Sequence, residues 1–312
     1  MNGFFHDIWR GLNASPKYLE SKYFYDESGD AIFQEIMRCP EYYLTNCELD
    51  IFSGKNNELC DSILNNCRDF DIVELGAGDA TKSVHLLEAL LKKGADFTYY
   101  PIDISGNIIK QLGKTLPAVL PGLKIHGLNG DYFDMLEEVK DISGRNKVVL
   151  FLGSSIGNIP LEETTSFFKA LRSHMLPGDM LITGFDLRKD TSIILPAYND
   201  KGGITRRFNL NLLQRINDTL DADFNLANFE HRPTYDEHTG ACKSYLVSTI
   251  NQRIRIGEVG WIYFKAGESI YMEISQKYTV AQTDVFAQES GFRPVHHFYD
   301  SKKWFIDALW QF

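Results

Sequence analysis

Between residues 70 and 190 the chain alternates short apolar runs with longer stretches in which apolar positions recur every three or four residues. Short continuous runs fit strands buried on both faces, and a recurrence near 3.6 fits helices with one buried face. Strands are predicted over 71–75, 97–103, 123–128, 147–152 and 180–185. Helices are predicted over 81–93, with Val84, Leu86, Leu87, Leu90 and Leu91 on the apolar face, over 105–116 with Ile108, Ile109 and Leu112, and over 161–174. This β-α-β-α-β order implies right-handed crossovers and an open, doubly wound, mostly parallel α/β sheet with helices on both faces. Near the end, a helix over 280–290 stopped by Gly291 precedes strands over 292–299 and 304–309, which complete the same sheet.

The remainder, 1–54 and 196–274, lacks this alternation yet holds 21 of the 40 aromatic residues in 133 positions. It is predicted to form a second, discontinuous α+β lobe, leaving 55–195 and 275–312 as the α/β core.

Composition narrows the partners. With 312 residues, 44% hydrophobic and 24% charged, the chain can build a substantial core, which excludes a disordered protein. No apolar run approaches the roughly 18–20 residues that span a bilayer, so no membrane insertion is expected. The net charge of -10, with no Lys/Arg stripe, argues against nucleic-acid binding. The opening MNGFFHDIWR has no export pattern. Five cysteines, an odd number without C-x-x-C spacing, read as reduced thiols of a cytoplasmic protein, not as a disulfide framework or metal site. The adjacent His296 and His297 point off different faces and do not suggest a ligand pair. A monomer is the expectation.

The chemistry concentrates at the predicted strand ends. Val73-Glu74-Leu75-Gly76-Ala77-Gly78-Asp79 closes the first strand and opens the first helix. Gly76 and Gly78 permit a tight turn and close backbone approach to a ligand beside free N–H groups of a helix start. The third glycine of a dinucleotide fingerprint is absent, with Thr81 in its place, which argues against a nicotinamide dehydrogenase. Asp103 ends the second strand, where a carboxylate can accept a ribose diol, with a helix cap as the plainer alternative. Asp131 and Tyr132 follow the third strand and offer an acceptor and a ring for adenine, although Tyr132 could simply pack in the core. Three such features in order point to S-adenosylmethionine. Beyond the fourth strand, the polar loop from Leu152 to Asn158 would face the sulfonium.

Together Lys22-Tyr23-Phe24-Tyr25-Asp26, Pro40-Glu41-Tyr42-Tyr43, the E-L-G-A-G-D turn, Gly157-Asn158, Leu195-Pro196-Ala197-Tyr198-Asn199-Asp200 and Met272-Glu273-Ile274-Ser275 resemble the histidine-specific S-adenosylmethionine methyltransferases. The resemblance runs from about Ser15 to Leu309. It implies a Rossmann-like class I methyltransferase core with an inserted substrate lobe, and methylation of the α-amino group of L-histidine, up to trimethylhistidine (hercynine), as in ergothioneine biosynthesis. It further implies that Asn158 holds the substrate amine, Tyr25 and Tyr198 the carboxylate, Tyr42 the pocket wall, and Glu273 and Ser275 the imidazole. Lys82 would join Glu74, Gly76, Gly78, Asp103, Asp131 and Tyr132 at the cofactor. Asn158 and Tyr25 would be the catalytic pair. Ser244 stands where the family's imidazole pocket carries methionine, a departure bearing on substrate identity. Glu273 alternates with Met272 and Ile274, so a solvent-facing strand position is the plain alternative. Methylation of another amino acid or small amine, and a non-catalytic adenosyl-binding protein, remain the competing functions.

Overall fold

The structure, a computed structural model, describes residues 3–312. They form two compact units, one of Leu44–Arg188 with Gln276–Phe312, the other running to Tyr43 and resuming over Lys189–Ser275. The divisions fall at 43/44, 188/189 and 275/276, so residues 44–54, allotted to the lobe by their aromatic content, lie in the α/β unit. The helix Tyr43–Gly54 is tied there by Glu48, which pairs with Lys82 and accepts the Gly153 N–H, and its Leu44, Cys47, Ile51 and Phe52 are buried.

The α/β unit is built on an eight-stranded sheet. Its spatial order is Arg293–Tyr299, Phe305–Gln311, Met180–Asp186, Asn146–Phe151, Phe70–Leu75, Thr98–Asp103, Lys124–Ile125, with Leu128–Asn129 also paired to Thr98–Asp103. The first two are antiparallel to their neighbours and the pairs from Met180–Asp186 onward are parallel. Phe70–Leu75 is buried at every position, as a strand covered on both faces must be. From it the chain winds first to one side and then, at Asn146–Phe151, to the other, so the carboxyl ends of these two strands flank the switch point where open α/β sheets bind ligands. This is the Rossmann-like class I methyltransferase architecture.

Three elements differ from the sequence reading. The strand over 123–128 is broken into Lys124–Ile125 and Leu128–Asn129, and Gly127 between them lies so close to the helix Gly106–Val119 that a Cβ would stand 2.6 Å from Ile109. That helix runs past Pro117, with the Leu120 N–H closing its last turn on Leu116. The helix Tyr132–Ile142 was not anticipated; only Leu136 and Val139 are fully buried, so its apolar recurrence is faint.

The second unit holds a four-stranded sheet in the order Lys17–Tyr18, Ser269–Gln276, Ala241–Ser248, Phe229–Asp236, and a separate hairpin, Gln252–Ile256 with Gly260–Phe264. The helix Ile204–Leu220 contributes Phe208, Leu212, Leu213 and Ile216 to a core shared with Phe229, Leu246, Ile270 and Met272.

Candidate active site

In the α/β unit, the turn after Phe70–Leu75 has the left-handed backbone that favours glycine, with φ of +69° at Gly76 and +52° at Gly78. A Cβ at Gly76 would stand 2.8 Å from the Tyr132 hydroxyl, so this glycine makes room for the tyrosine. A Cβ at Gly78 would meet nothing within 4 Å, which leaves open space over the turn. Asp103 accepts hydrogen bonds from the Gly78 N–H (3.1 Å) and the Ser105 N–H (2.9 Å), tying two strand ends together. Burial raises its carboxyl above the ordinary value, partly offset by those N–H groups. Gly76, Gly78, Asp103 and Tyr132 are thus brought together.

Glu74 and Asp131 have other partners. Glu74 is buried and accepts the Tyr99 hydroxyl; burial pushes its carboxyl up to about 7 against that bond and one from Ser83. Asp131 is exposed and caps the helix Tyr132–Ile142 by accepting the Phe133 N–H at 3.0 Å.

Lys82 pairs with Glu48, a residue the sequence reading missed. Glu48 is 1% exposed, and both its oxygens accept the Gly153 N–H at 2.9 Å, so one carboxylate joins the turn after Phe70–Leu75 to the turn after Asn146–Phe151. Burial disfavours the Lys82 charge, but Glu48 outweighs it and the ammonium is held above its ordinary value. Asp307 is also fully buried, and neither of its oxygens accepts a hydrogen bond. Burial, and next the Glu48 charge, hold its carboxyl well above the usual range. A Cβ at Gly184, the cross-strand partner of Asp307, would stand 2.3 Å from Glu48 Oε1. A signal for both acids existed: Glu48 sits on an apolar helix stripe, and Asp307 interrupts an apolar strand.

Asn158 is exposed at the end of the short 3₁₀ helix Ser155–Asn158, beyond Asn146–Phe151.

In the second unit, the Tyr42 and Tyr198 rings meet edge to face at 6.3 Å, and the Tyr198 and Ser275 hydroxyls are hydrogen-bonded at 2.6 Å. Glu273, two residues from Ser275, is half-buried and shares its face of Ser269–Gln276. Tyr25 is half-buried with its ring edge-on to Phe33 and Phe208. Ser244 departs from its expected place. It alternates in step with Leu246, which packs with Met272, whereas Glu273 alternates out of step with Met272. Ser244 and Glu273 therefore lie on opposite faces of the sheet. The serine does not line a pocket beside Glu273, and its bearing on the imidazole lapses.

Among the described residues, no helix is long and apolar enough to cross a membrane, and no group of three or more His, Cys, Asp or Glu could hold a metal. None of the five cysteines is in a disulfide.

A family model described as histidine-specific methyltransferase, SAM-dependent, matches residues 4–312. The histidine N-alpha-methyltransferase of Mycobacterium tuberculosis is 34% identical, over 87% of this chain and 83% of that protein. That of Mycolicibacterium smegmatis is 33% identical over 94% and 90%. A 4-dimethylallyltryptophan N-methyltransferase from Claviceps fusiformis is 30% identical over 62% and 57%.

Proposed function

Because the chain belongs to the histidine-specific, S-adenosylmethionine-dependent methyltransferase family, we propose that it methylates the α-amino group of L-histidine, up to three times, in ergothioneine biosynthesis. The observation that carries this is a family match across 4–312 over a sheet whose switch point bears Gly76, Gly78 and Asp103. S-adenosylmethionine supplies a methyl group already activated by the sulfonium. Gly78 and Asp103 would hold its nucleoside part, Tyr132 its ring, and Lys82 its carboxylate, with Glu74 and Asp131 supporting the strand and helix behind them.

In-line transfer to an amine needs no metal and no covalent intermediate, so positioning does most of the work. We assign Asn158 to the amine, Tyr25 and Tyr198 to the carboxylate and Tyr42 to the pocket wall. The amine must be neutral to attack, and α-amino groups titrate near 7.7–8.0 in peptides. Desolvation among aromatic rings, beside a cationic donor, favours the neutral form. The same rings attract the quaternary ammonium as methyls accumulate. Glu273 and Ser275 would read the imidazole; a buried carboxylate left without that N–H donor disfavours other side chains. Ser244 is no part of this reading. We further read the protein as a cytoplasmic monomer with a small amino-acid substrate.

The test is to incubate the protein with S-adenosylmethionine and a panel of amino acids, beside a Glu273→Ala variant, and record methyl gains by mass spectrometry. Histidine should gain up to three methyls, and the variant should lose at least about tenfold in kcat/KM for histidine with cofactor affinity unchanged. Methylation of a different amino acid, or none, would contradict the reading. The likeness to a tryptophan-derivative N-methyltransferase makes aromatic amino acids the essential competitors.

A further inference from the structure

The loop carrying Asn158 is braced from one side by three consecutive residues. The Tyr278 hydroxyl donates to the Ile156 carbonyl at 3.0 Å, inside the short helix that ends at Asn158. A Cβ on Gly157 would stand 3.0 Å from the Gln276 carbonyl oxygen and 3.2 Å from its nitrogen, so the loop backbone lies directly on this segment. Lys277 and Asp186 form an ion pair at 2.7 Å with both side chains fully buried, and the Asp186 N–H donates to the Ser154 hydroxyl.

Tyr278 is itself immobilised. Its N–H donates to the Asp186 carbonyl and its carbonyl accepts the Arg188 N–H, both at 2.9 Å. Its ring, with no exposed surface, packs edge-on against Phe185 at 5.2 Å and Phe286 at 5.9 Å. Packing alone would be served by phenylalanine; the Tyr278 hydroxyl adds its bond to the loop carbonyl and a contact with Thr164.

We infer that Tyr278 is a positioning residue for methyl transfer: by holding the Ile156 carbonyl it sets where the helix end presents Asn158. This rests on the assignment of Asn158 to the substrate amine. Small displacements of a positioning group lower turnover steeply while leaving remote binding intact.

The experiment compares Tyr278→Phe, Gly157→Ala and Asn158→Ala with the wild-type full chain. It measures kcat and KM for histidine, cofactor affinity by calorimetry, and melting temperature. Tyr278→Phe keeps the ring and should lower kcat about 5- to 10-fold with cofactor affinity unchanged. Gly157→Ala presses the same loop from the Gln276 side and should show the same kcat loss. If Asn158→Ala loses turnover while both brace variants turn over normally, or show only a lowered melting temperature, the inference is overturned. If Asn158→Ala itself turns over normally, the assignment of Asn158 fails and the inference falls with it.

Discussion

His231 shows how much a single side chain can depart from what its residue type suggests. It lies on Phe229–Asp236 opposite Leu246, is 7% exposed, and neither ring nitrogen has a hydrogen-bond partner. Burial lowers its pKa to about 4, with Asp200 opposing and Arg206 assisting. The folded state thus binds fewer protons than the unfolded one below about pH 6.5, and the stability His231 permits is lost as pH falls from there toward 4. Between pH 7 and pH 5 this amounts to about 2 kcal/mol. His231→Leu should therefore be more stable than wild type at pH 5, with a smaller loss of unfolding free energy between pH 7 and pH 5; equal losses for the two proteins, measured by denaturant titration at both pH values, would contradict this. At this scale sequence reading succeeded where conformation demands a residue type, as at Gly76 and Gly78 with positive φ. It failed at Glu48 and Asp307, whose meaning comes from partners far along the chain.

Among elements, the helix Tyr43–Gly54 carries more than its place in the chain suggested. Its Glu48 reaches both Lys82 and the Gly153 N–H, and breaking a buried ion pair leaves an uncompensated charge. Glu48→Ala should destabilise the protein by about 3 kcal/mol, and because it also frees Gly153 it should weaken cofactor binding. Wild-type stability and cofactor affinity in denaturation and calorimetry would show that the helix is a bystander. The strands of the sheet were visible in the sequence because strands buried on both faces are apolar at nearly every position. Tyr132–Ile142 was not, because a helix burying two positions leaves little periodic trace. The opposite facing of Ser244 and Glu273 required the strand pairing itself, which no single strand's pattern contains.

For the whole molecule, the alternation of strands and helices was enough to predict the α/β sheet, and the order of motifs along the chain was enough to suggest the family. Aromatic density was a poorer guide to where the units divide, since Leu44–Gly54 is rich in apolar surface buried within the α/β unit. The central claim is that this molecule places methyl groups on the α-nitrogen of histidine. The most direct measurement supplies S-adenosylmethionine with an isotope-labelled methyl group, together with L-histidine, and locates the label in the product by NMR. The account predicts label on the α-nitrogen alone, accumulating to three methyls. Label on the imidazole ring, or unlabelled histidine under conditions in which another amine becomes labelled, would contradict it.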